Sequence, residues 1–407
     1  MIYNLAILIY DLLAHLAALF GMKKARLLVR GHRAVFPLLE EKIDASSRYI
    51  WFHAASLGEF EQGRPLMESI RALHPEYKIL LTFFSPSGYE VRKNYPGADI
   101  ICYLPFDRPA NVRRFLRLVR PAKAFFIKYE FWKNYLDELH RHGVPTYSVS
   151  SIFRPNQVFF KKYSRNYSRV LTNFDRLFVQ NETSQRLLAS IGVDRVTIVG
   201  DTRFDRVLQI YEQRKSLPLV EAFKGEHIAL VAGSSWPPDE DLFIAYFNAH
   251  PELKLIIAPH VIDEAHLQEI IAKLRRPHVR YTQATEASAR RADCLIIDCY
   301  GLLSSIYRYG ELAYIGGGFG VGIHNTLEAA VYAIPVIFGP NHTRFREAMG
   351  LLDVHGAFSV TDYDDFSAIA DRLLTDSDFR HAAGESAGRY VSTHAGATQK
   401  VLELTME

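Results

Sequence analysis

The feature that most constrains this chain is a series of short, continuously apolar, β-rich segments. They are "YIWFHAA", "KILLTFF", "DIICYLP", "KAFFIKY", "PTYSVSS", "RLFVQ" and "VTIVG", separated by stretches of helical pattern. A strand with one face in water alternates apolar and polar residues; these do not alternate, so both of their faces are covered. Such strands alternating with helices predict a parallel sheet between two helical layers, a Rossmann-like unit. After "GDTRFDRVLQIYEQRKSLPLVEAFKGE" the rhythm restarts with "HIALVAG", "LKLIIAP", "CLIIDC", "LAYIGGG" and "PVIFGP", so a second doubly wound unit begins near residue 220. A chain of 407 residues, 48% hydrophobic, is long for one core and sufficient for two. The expected class is α/β, with two Rossmann-like doubly wound domains facing a central cleft. The last helical stretch, 378–403, is expected to pack back on the first domain.

The amino terminus departs from this rhythm. "MIYNLAILIYDLLAHLAALF" has the length of a membrane span, yet Asn4, Asp11 and His15 fall at i, i+7 and i+11, one stripe of a helix. That pattern suits a helix lying in a membrane interface, and Lys23, Lys24, Arg26, Arg30 and Arg33 follow as a basic segment suited to an anionic leaflet. A cleaved leader is disfavoured, because no basic stretch precedes the apolar run. The expected organisation is a membrane-anchor helix at 1–22, an N-terminal domain at 23–215 and a C-terminal domain at 216–407. A buried first helix is the alternative. A net charge of +3 gives no reason to expect nucleic acid as a partner. Cys102, Cys294 and Cys299 form neither a CxxC nor a zinc-spaced cluster, so they read as reduced packing residues and no structural metal is expected.

Ligands of doubly wound sheets sit beyond the carboxyl ends of the strands, so the residues after strands are the candidates. In the second domain "IGGGFGVGIHNTLEAAVYAIPVIFGP" reads as strand, glycine-rich turn, helix and strand. Gly317 and Gly318 let backbone approach a ligand, and Asn325, Thr326 and Leu327 open the helix, with Asn325 as its cap. A helix start attracts an anion, and Glu328 one turn on suits ribose hydroxyls. Phosphate followed by ribose suggests a nucleotide, although the spacing is neither a P-loop nor GxGxxG, and a turn that only packs helix on sheet explains the glycines too. Ser234 and Ser235 in "VAGSSW", Pro259 and His260 in "IAPH", and Tyr300, Gly301 and Leu302 from "DCYG" onward end three other strands and extend the same rim.

The first domain offers "HAASLGEFEQG", where small residues including Ser56 and Gly58 admit an acceptor and Glu59 opens a helix. Glu59 there either takes a proton from an attacking hydroxyl or merely complements the helix dipole. Glu130 in "KYEFW" and Arg203 in "GDTRFD" follow other strands of that sheet, either balancing charge on a leaving phosphate or forming an ordinary ion pair. Arg113, Arg117 and Arg120 share one helix face, which reads as solvated surface or, beside the amino-terminal anchor, as a holder of phosphorylated lipid. Asp362-Tyr363-Asp364 resembles a metal-binding DxD, but capping of the following helix explains it.

Taken in order, "HAASLGEF", "KYEFW", "GDTRFD", "GSSWPPDED", "IAPH", "DCYG" and "GGGFGVGIHNTLEAAVYAIPVIFGP" resemble the 3-deoxy-D-manno-octulosonic acid (Kdo) transferases of lipopolysaccharide synthesis. The resemblance implies the GT-B fold, CMP-Kdo as donor, the lipid A precursor (lipid IVA) as acceptor, inversion at the anomeric carbon, no cofactor and no catalytic metal. It implies a place at the cytoplasmic face of the bacterial inner membrane. It also makes Glu59 the general base, Glu130 and Arg203 stabilisers of the transition state, and Pro259, His260, Tyr300 to Leu302 and Asn325 to Glu328 the contacts to CMP. The chain has Lys128-Tyr129-Glu130 where the family commonly has an ETE triplet, Arg203 where it has Lys, His260 where it has Arg, and Leu302 where it has Glu. Arg203 keeps the charge, whereas Leu302 offers only backbone. The competing expectations are another GT-B nucleotide-sugar transferase, a UDP-sugar epimerase of the same fold, and a nucleotide-sugar-binding protein without turnover.

Overall fold

The structure is a computed structural model and describes residues 2–161 and 165–406. Lys162, Tyr163 and Ser164 of the expected first domain, Met1 of the expected anchor and Glu407 of the expected second domain lie outside the described residues. The first sheet comprises β1 (Arg48–Ala54), β2 (Tyr77–Phe83), β3 (Ile100–Tyr103), β4 (Lys123–Ile127), β5 (Thr146–Ser151), β6 (Arg176–Val179) and β7 (Val196–Ile198). The second comprises β8 (Ala229–Ser235), β9 (Lys254–Pro259), β10 (His278–Arg280), β11 (Cys294–Ile296), β12 (Leu312–Ile315), β13 (Val336–Phe338) and β14 (Ala357–Ser359). The strand orders are β3-β2-β1-β4-β5-β6-β7 and β10-β11-β9-β8-β12-β13-β14, and every neighbouring pair is parallel.

Both sheets grow outward in two directions from a central pair, β1–β4 in the first and β8–β12 in the second. At that pair the crossovers leave on opposite faces, which opens a crevice at the strands' carboxyl ends. The residues following β1, β4, β8 and β12 are therefore the ones topology brings to a ligand.

The apolar reading of the strands holds. In β1 only Arg48 is exposed, and Trp51 is fully buried among Phe115, Phe126 and Tyr135 while its indole N–H donates to Thr82 Oγ1 at 2.8 Å. Tyr314 plays the matching part in the second sheet, packed on Phe243 and Phe366 with its hydroxyl donating to Asp239 at 2.9 Å. β10, "HVR", is a strand the sequence pattern does not disclose. Three residues at a sheet edge, with His278 exposed, carry no continuous apolar signal.

The described residues form two compact units, one running to Arg206 and resuming at Ala395, the other Val207–His394. The chain leaves the first unit inside the helix Thr202–Glu212. The expected single stretch 378–403 is in fact two helices, Ser377–His394 and Ala397–Met406, separated at Gly396, whose φ of 102° ends the first of them. Ala397, Val401 and Leu402 join the core under Phe52, Phe60 and Phe125 of the first unit. Asp205 accepts from the Gly396 and Thr398 amides (2.6 and 2.8 Å) and from the Thr398 hydroxyl, and so caps the last helix.

The helix Ile2–Leu19 belongs to the first unit and is turned opposite to a core helix. Its polar stripe faces protein: the Tyr3 hydroxyl donates to Asp107, Asn134 donates to Asn4, and Arg108 pairs with Asp11 at 3.1 Å. Its apolar side chains face outward, Ile2 at 85%, Leu12 at 60% and Leu19 at 80% exposure. The helix has the length and composition to cross a membrane.

Candidate active site

Glu59 follows β1. The helix Leu57–Leu73 begins after Ser56, and Ser-x-x-Glu with Glu59 at the third helical position has the form of a capping box. The Ser56 hydroxyl, however, donates to the Glu59 carboxylate and makes no bond to a helix amide. The carboxylate is thereby held at the helix start, half-buried, in the field of the first-turn N–H groups.

Glu130 follows β4 and is likewise half-buried. Glu130 Oε2 lies 2.9 Å from His53 Nε2 and accepts from the Trp132 indole at 2.7 Å. His53 is wholly buried in β1, its Nδ1 2.9 Å from Thr82 Oγ1. A line of contacts thus runs Thr82–His53–Glu130 from the sheet interior to the rim. Glu130 and Arg203, for which an ion pair was one sequence expectation, are each bound to another group. Arg203 donates to Asp201 Oδ2 through Nε and Nη2 at 2.9 and 2.7 Å, two residues back in the same turn after β7.

Tyr129 ties these groups together. Its hydroxyl accepts from Arg154 Nη1 at 3.1 Å. Burial pushes its acidity down and hence its pKa up, Arg154 and Arg203 oppose that, and Glu59 adds to it. Glu59, Tyr129, Arg154 and Arg203 therefore share one electrostatic neighbourhood at the carboxyl ends of the first sheet. Lys128 and Ser150, on the same rim, hold left-handed φ of 67° and 59°, conformations that non-glycine residues keep mainly where surrounding structure over-determines them.

In the second unit the loops predicted from strand ends do meet. Tyr300, after β11, receives the Ile262 amide of the loop after β9 at 3.3 Å, and Ser304 donates to Glu328 at 2.6 Å, which joins the β11 loop to the segment after β12. Three rings stack across the rim: Trp236 on His260 (centroids 4.9 Å apart) and His260 on His324 (4.3 Å), while the Trp236 indole donates to His324 Nε2 at 3.1 Å. Burial, with His260 adding to it, drives the His324 pKa down to about 4, and burial lowers that of His260. Both rings are accordingly neutral at pH 7, so His260 supplies no standing positive charge where the resembling family has arginine.

Three expectations are corrected here. Ser235 is fully buried and its hydroxyl donates to Glu240 at 2.9 Å, which turns it from the rim into the core; Ser234, half-buried at φ 54°, stays on the rim. The helix after the glycine turn is only Leu327–Ala330; Thr326 stands at its cap position without a side-chain bond to a helix amide, and the side chain that accepts from the helix start is that of Asn325. The helix stops early because a left-handed Ala333 and Pro335 follow, and the residue before proline is barred from helical angles. Asn325 accepts from the Leu327 amide at 3.2 Å and donates to Glu328 at 2.9 Å. Thr326 and Leu327 are wholly buried and present no surface to the rim.

The glycines answer first to close packing. A Cβ on Gly316 would meet Ser234 O at 2.2 Å, and one on Gly318 the Gly339 backbone at 2.5 Å. The Gly317 amide donates to Asp239 at 2.8 Å. Asp239, Trp236, His324 and Ser304 are thus parts of this rim that motif reading passed over, as are His53, Tyr129, Trp132 and Arg154 in the first unit. For Asp239 the signal was present: an acid three residues after Trp236 in "SSWPPDE" is a helix-start acid, and it accepts from the Trp236 amide at 3.0 Å.

Arg113, Arg117 and Arg120 lie elsewhere, along the helix Pro109–Val119 and its C-cap, lining a cavity shared with Glu138, His142 and Val144. Pro259 is buried, Gly301 and Tyr300 exposed, Leu302 half-buried as the cap of Leu303–Ile306, and Gly58 exposed beside Glu59. Asp362 caps the helix Tyr363–Thr375 by accepting from the Asp365 amide at 2.9 Å.

Two doubly wound parallel sheets of this kind, each with polar groups gathered at its central strand ends, define a GT-B-like α/β fold. The chain resembles the solved UDP-GlcNAc 2-epimerase from Neisseria meningitidis over 88% of its length and 99% of that chain, at 12% identity and a TM-score of 0.64. It likewise resembles the epimerase from Listeria monocytogenes over 88% and 95% at 14% identity and a TM-score of 0.57, a likeness of fold. Residues 29–206 match the family model described as 3-deoxy-D-manno-octulosonic-acid transferase (kdotransferase). The chain is 28% identical to the 3-deoxy-D-manno-octulosonic acid transferase of Aquifex aeolicus over 76% of its length and 80% of that protein. It is 27% identical to that of Bordetella pertussis over 87% and 86%. Along most of its length the chain is similar to Kdo transferases, and these matches support a glycosyltransferase that moves Kdo in lipopolysaccharide synthesis.

Proposed function

We propose that the chain transfers Kdo from CMP-Kdo to the lipid A precursor with inversion and without a metal ion, and that Glu59 is its general base. The observation that carries this reading is the position of Glu59, a half-buried carboxylate held by Ser56 at the end of a central strand, in one electrostatic neighbourhood with Tyr129 and Arg203. The carboxylate removes the proton of an acceptor hydroxyl; its oxygen bonds to the anomeric carbon as the bond from that carbon to the CMP phosphate breaks on the opposite face. Glu130 and Arg203 stabilise charge that develops in that step.

In the donor unit, Ser234, His260, Tyr300, Gly301, Asn325 and Glu328 are the proposed contacts to CMP. The Glu328 carboxylate, already accepting from Ser304 and Asn325, has lone pairs left for ribose hydroxyls. The outward apolar face of Ile2–Leu19 and the basic run after it fit the chain to the cytoplasmic surface of the inner membrane, lying on the bilayer. Flotation with vesicles of anionic phospholipid is expected for the intact chain and lost in Leu12→Ser/Leu13→Ser; unchanged flotation of that variant refutes the reading.

The deciding assay is transfer from CMP-Kdo to tetra-acylated lipid A precursor in excess EDTA. Full activity with EDTA supports the proposal. Turnover only with a UDP-sugar, or loss of turnover in EDTA restored by a divalent cation, overturns the donor or the metal-free chemistry respectively.

A further inference from the structure

Beneath the rim of the second unit, a buried acid–imidazole pair holds the loop after β9. His266, near the start of the helix Glu264–Lys273, is buried, and its two ring nitrogens meet two acceptors. Nδ1 lies 2.9 Å from the Val261 carbonyl oxygen, and Nε2 lies 3.0 Å from each carboxylate oxygen of Glu240. Glu240, on the helix Pro237–Ala249, is wholly buried and also accepts from the Ser235 hydroxyl at 2.9 Å. A carbonyl can only accept, so Nδ1 carries a proton. Nε2 and the carboxylate need a second proton between them, for otherwise a nitrogen lone pair and a carboxylate face each other away from water. The arrangement is therefore satisfied only while the pair keeps that shared proton.

The charges around the pair have other partners. Asp239, beside Glu240, is turned to the Tyr314 hydroxyl and the Gly317 amide. Asp263 caps the helix Glu264–Lys273 by accepting from the His266 amide at 2.9 Å. Lys273 is paired with Asp241 at 2.7 Å, and Arg280 with Glu264 and Asp298 at 2.9 and 3.0 Å. Among the described residues His266 is the one cation-forming group paired with Glu240. Burial lowers the His266 pKa, but the Val261 carbonyl and Glu240 outweigh it, Glu269 adds to them, and the balance lies above the ordinary value.

The loop held in this way is the one that carries His260. The His260 amide donates to the Ser235 carbonyl at 3.0 Å. The Val261 carbonyl and the Ile262 amide are the two polar ends of one peptide group: His266 takes the first, and the Tyr300 hydroxyl accepts from the second at 3.3 Å. Turning that peptide would break its bond to Tyr300 and shift the neighbouring His260, whose ring is stacked between Trp236 and His324.

We propose that the protonated His266–Glu240 pair is a positioning device of the donor site, fixing the Val261–Ile262 peptide, and with it His260 and Tyr300, in the form that binds the donor's nucleotide. This rests on the donor-site reading given above. The hold is complete below the ordinary histidine pKa of about 6.5 and is lost as pH rises through the raised value, so nucleotide affinity falls on the alkaline side.

The intact chain in nonionic detergent, with its histidines labelled at ¹³Cε1, is titrated by NMR from about pH 6 to about pH 9.5, the His266 signal being assigned by its absence from His266→Ala. CMP affinity is measured calorimetrically over the same range. His266 is expected to titrate above about 6.5, and Kd for CMP to rise at least about fivefold across that midpoint. Saturating CMP is expected to move the midpoint further up, since the coupling is reciprocal. In Glu240→Gln the amide donates to the neutral ring, which keeps the contact without the shared proton, so the alkaline fall is expected to disappear. CMP's own phosphate titration is common to both proteins and cancels in the ratio of their Kd values. His266→Ala is expected to raise donor KM by a larger factor than it lowers kcat. The same alkaline fall in Glu240→Gln as in the intact chain overturns the proposal, and so does a His266 that titrates at or below about 6.5. A pH step carried by UDP binding in a chain that does not bind CMP overturns the donor assignment and supports the positioning role.

Discussion

Glu59→Gln is expected to lower kcat for Kdo transfer by about 10²- to 10⁴-fold, the range for removing a positioned general base, while the melting temperature stays nearly unchanged. The two roles open to this residue separate cleanly. As a helix-start acid Glu59 stabilises the fold by a few tenths to about 1 kcal/mol, and glutamine retains much of the polar contact to Ser56. As a base it is irreplaceable by an amide, which cannot take up a proton near neutral pH. Activity lost with stability kept, measured by single-turnover transfer alongside thermal unfolding, assigns the base. Near-normal turnover together with a lowered melting temperature leaves Glu59 a cap and sends the search for a base to another acid of the rim. CMP-Kdo binding is expected to survive in the variant, since the proposed donor contacts belong to the second unit.

The second large effect is expected at His53, whose side chain touches Glu130 and Thr82. His53→Ala removes a fully buried ring and leaves the Glu130 carboxylate with the Trp132 indole as its remaining partner in this network, so Glu130 is free to turn. A fall in kcat of about ten- to a hundredfold follows, with acceptor KM little changed. Stability falls as well, by roughly 2–4 kcal/mol for the cavity and the orphaned Thr82 hydroxyl, so activity must be compared well below the melting temperature. The decisive measurement is the cycle His53→Ala, Glu130→Gln and both together. If His53 acts by positioning Glu130, the double variant is scarcely slower than Glu130→Gln alone. Fully multiplicative losses would show that the two act independently and would refute the positioning role.

Much of the fold was legible because burial on both faces leaves its mark on every residue of a strand. "YIWFHAA" and "KAFFIKY" can hardly be anything but central strands, and they flank the crevice that holds Glu59 and Glu130. The short edge strand His278–Arg280 left no such mark, since an edge tolerates polar residues. Glu59 and Glu130 were readable from position alone, as acids placed just after strands. Their supports were not, because a contact such as His53–Glu130 spans 77 residues of sequence and depends on strands β1 and β4 being neighbours. Even so, a histidine inside an uninterrupted apolar strand is itself a sign, for its ring nitrogens must find partners once water is excluded. The glycine turn taught the reverse lesson. Its composition suggested a ligand, whereas Gly316 and Gly318 are already required by the backbone they touch, so composition alone does not identify an anion site there.

The last helix has a bearing on how the chain is made. Val401 and Leu402 complete a core begun at Ile50, and Asp205 waits for a partner amide that is encoded almost two hundred positions later. As the polypeptide emerges from the ribosome, the second unit has all of its residues available before the first has its final helix. The amino-terminal sheet must therefore persist with one apolar patch uncovered through the synthesis of the other unit, and any message truncated before codon 395 yields a first unit that cannot close. The outward apolar face of Ile2–Leu19 precedes both sheets in the chain, so until the helix Ala397–Met406 docks the nascent chain carries two uncovered apolar surfaces and not one.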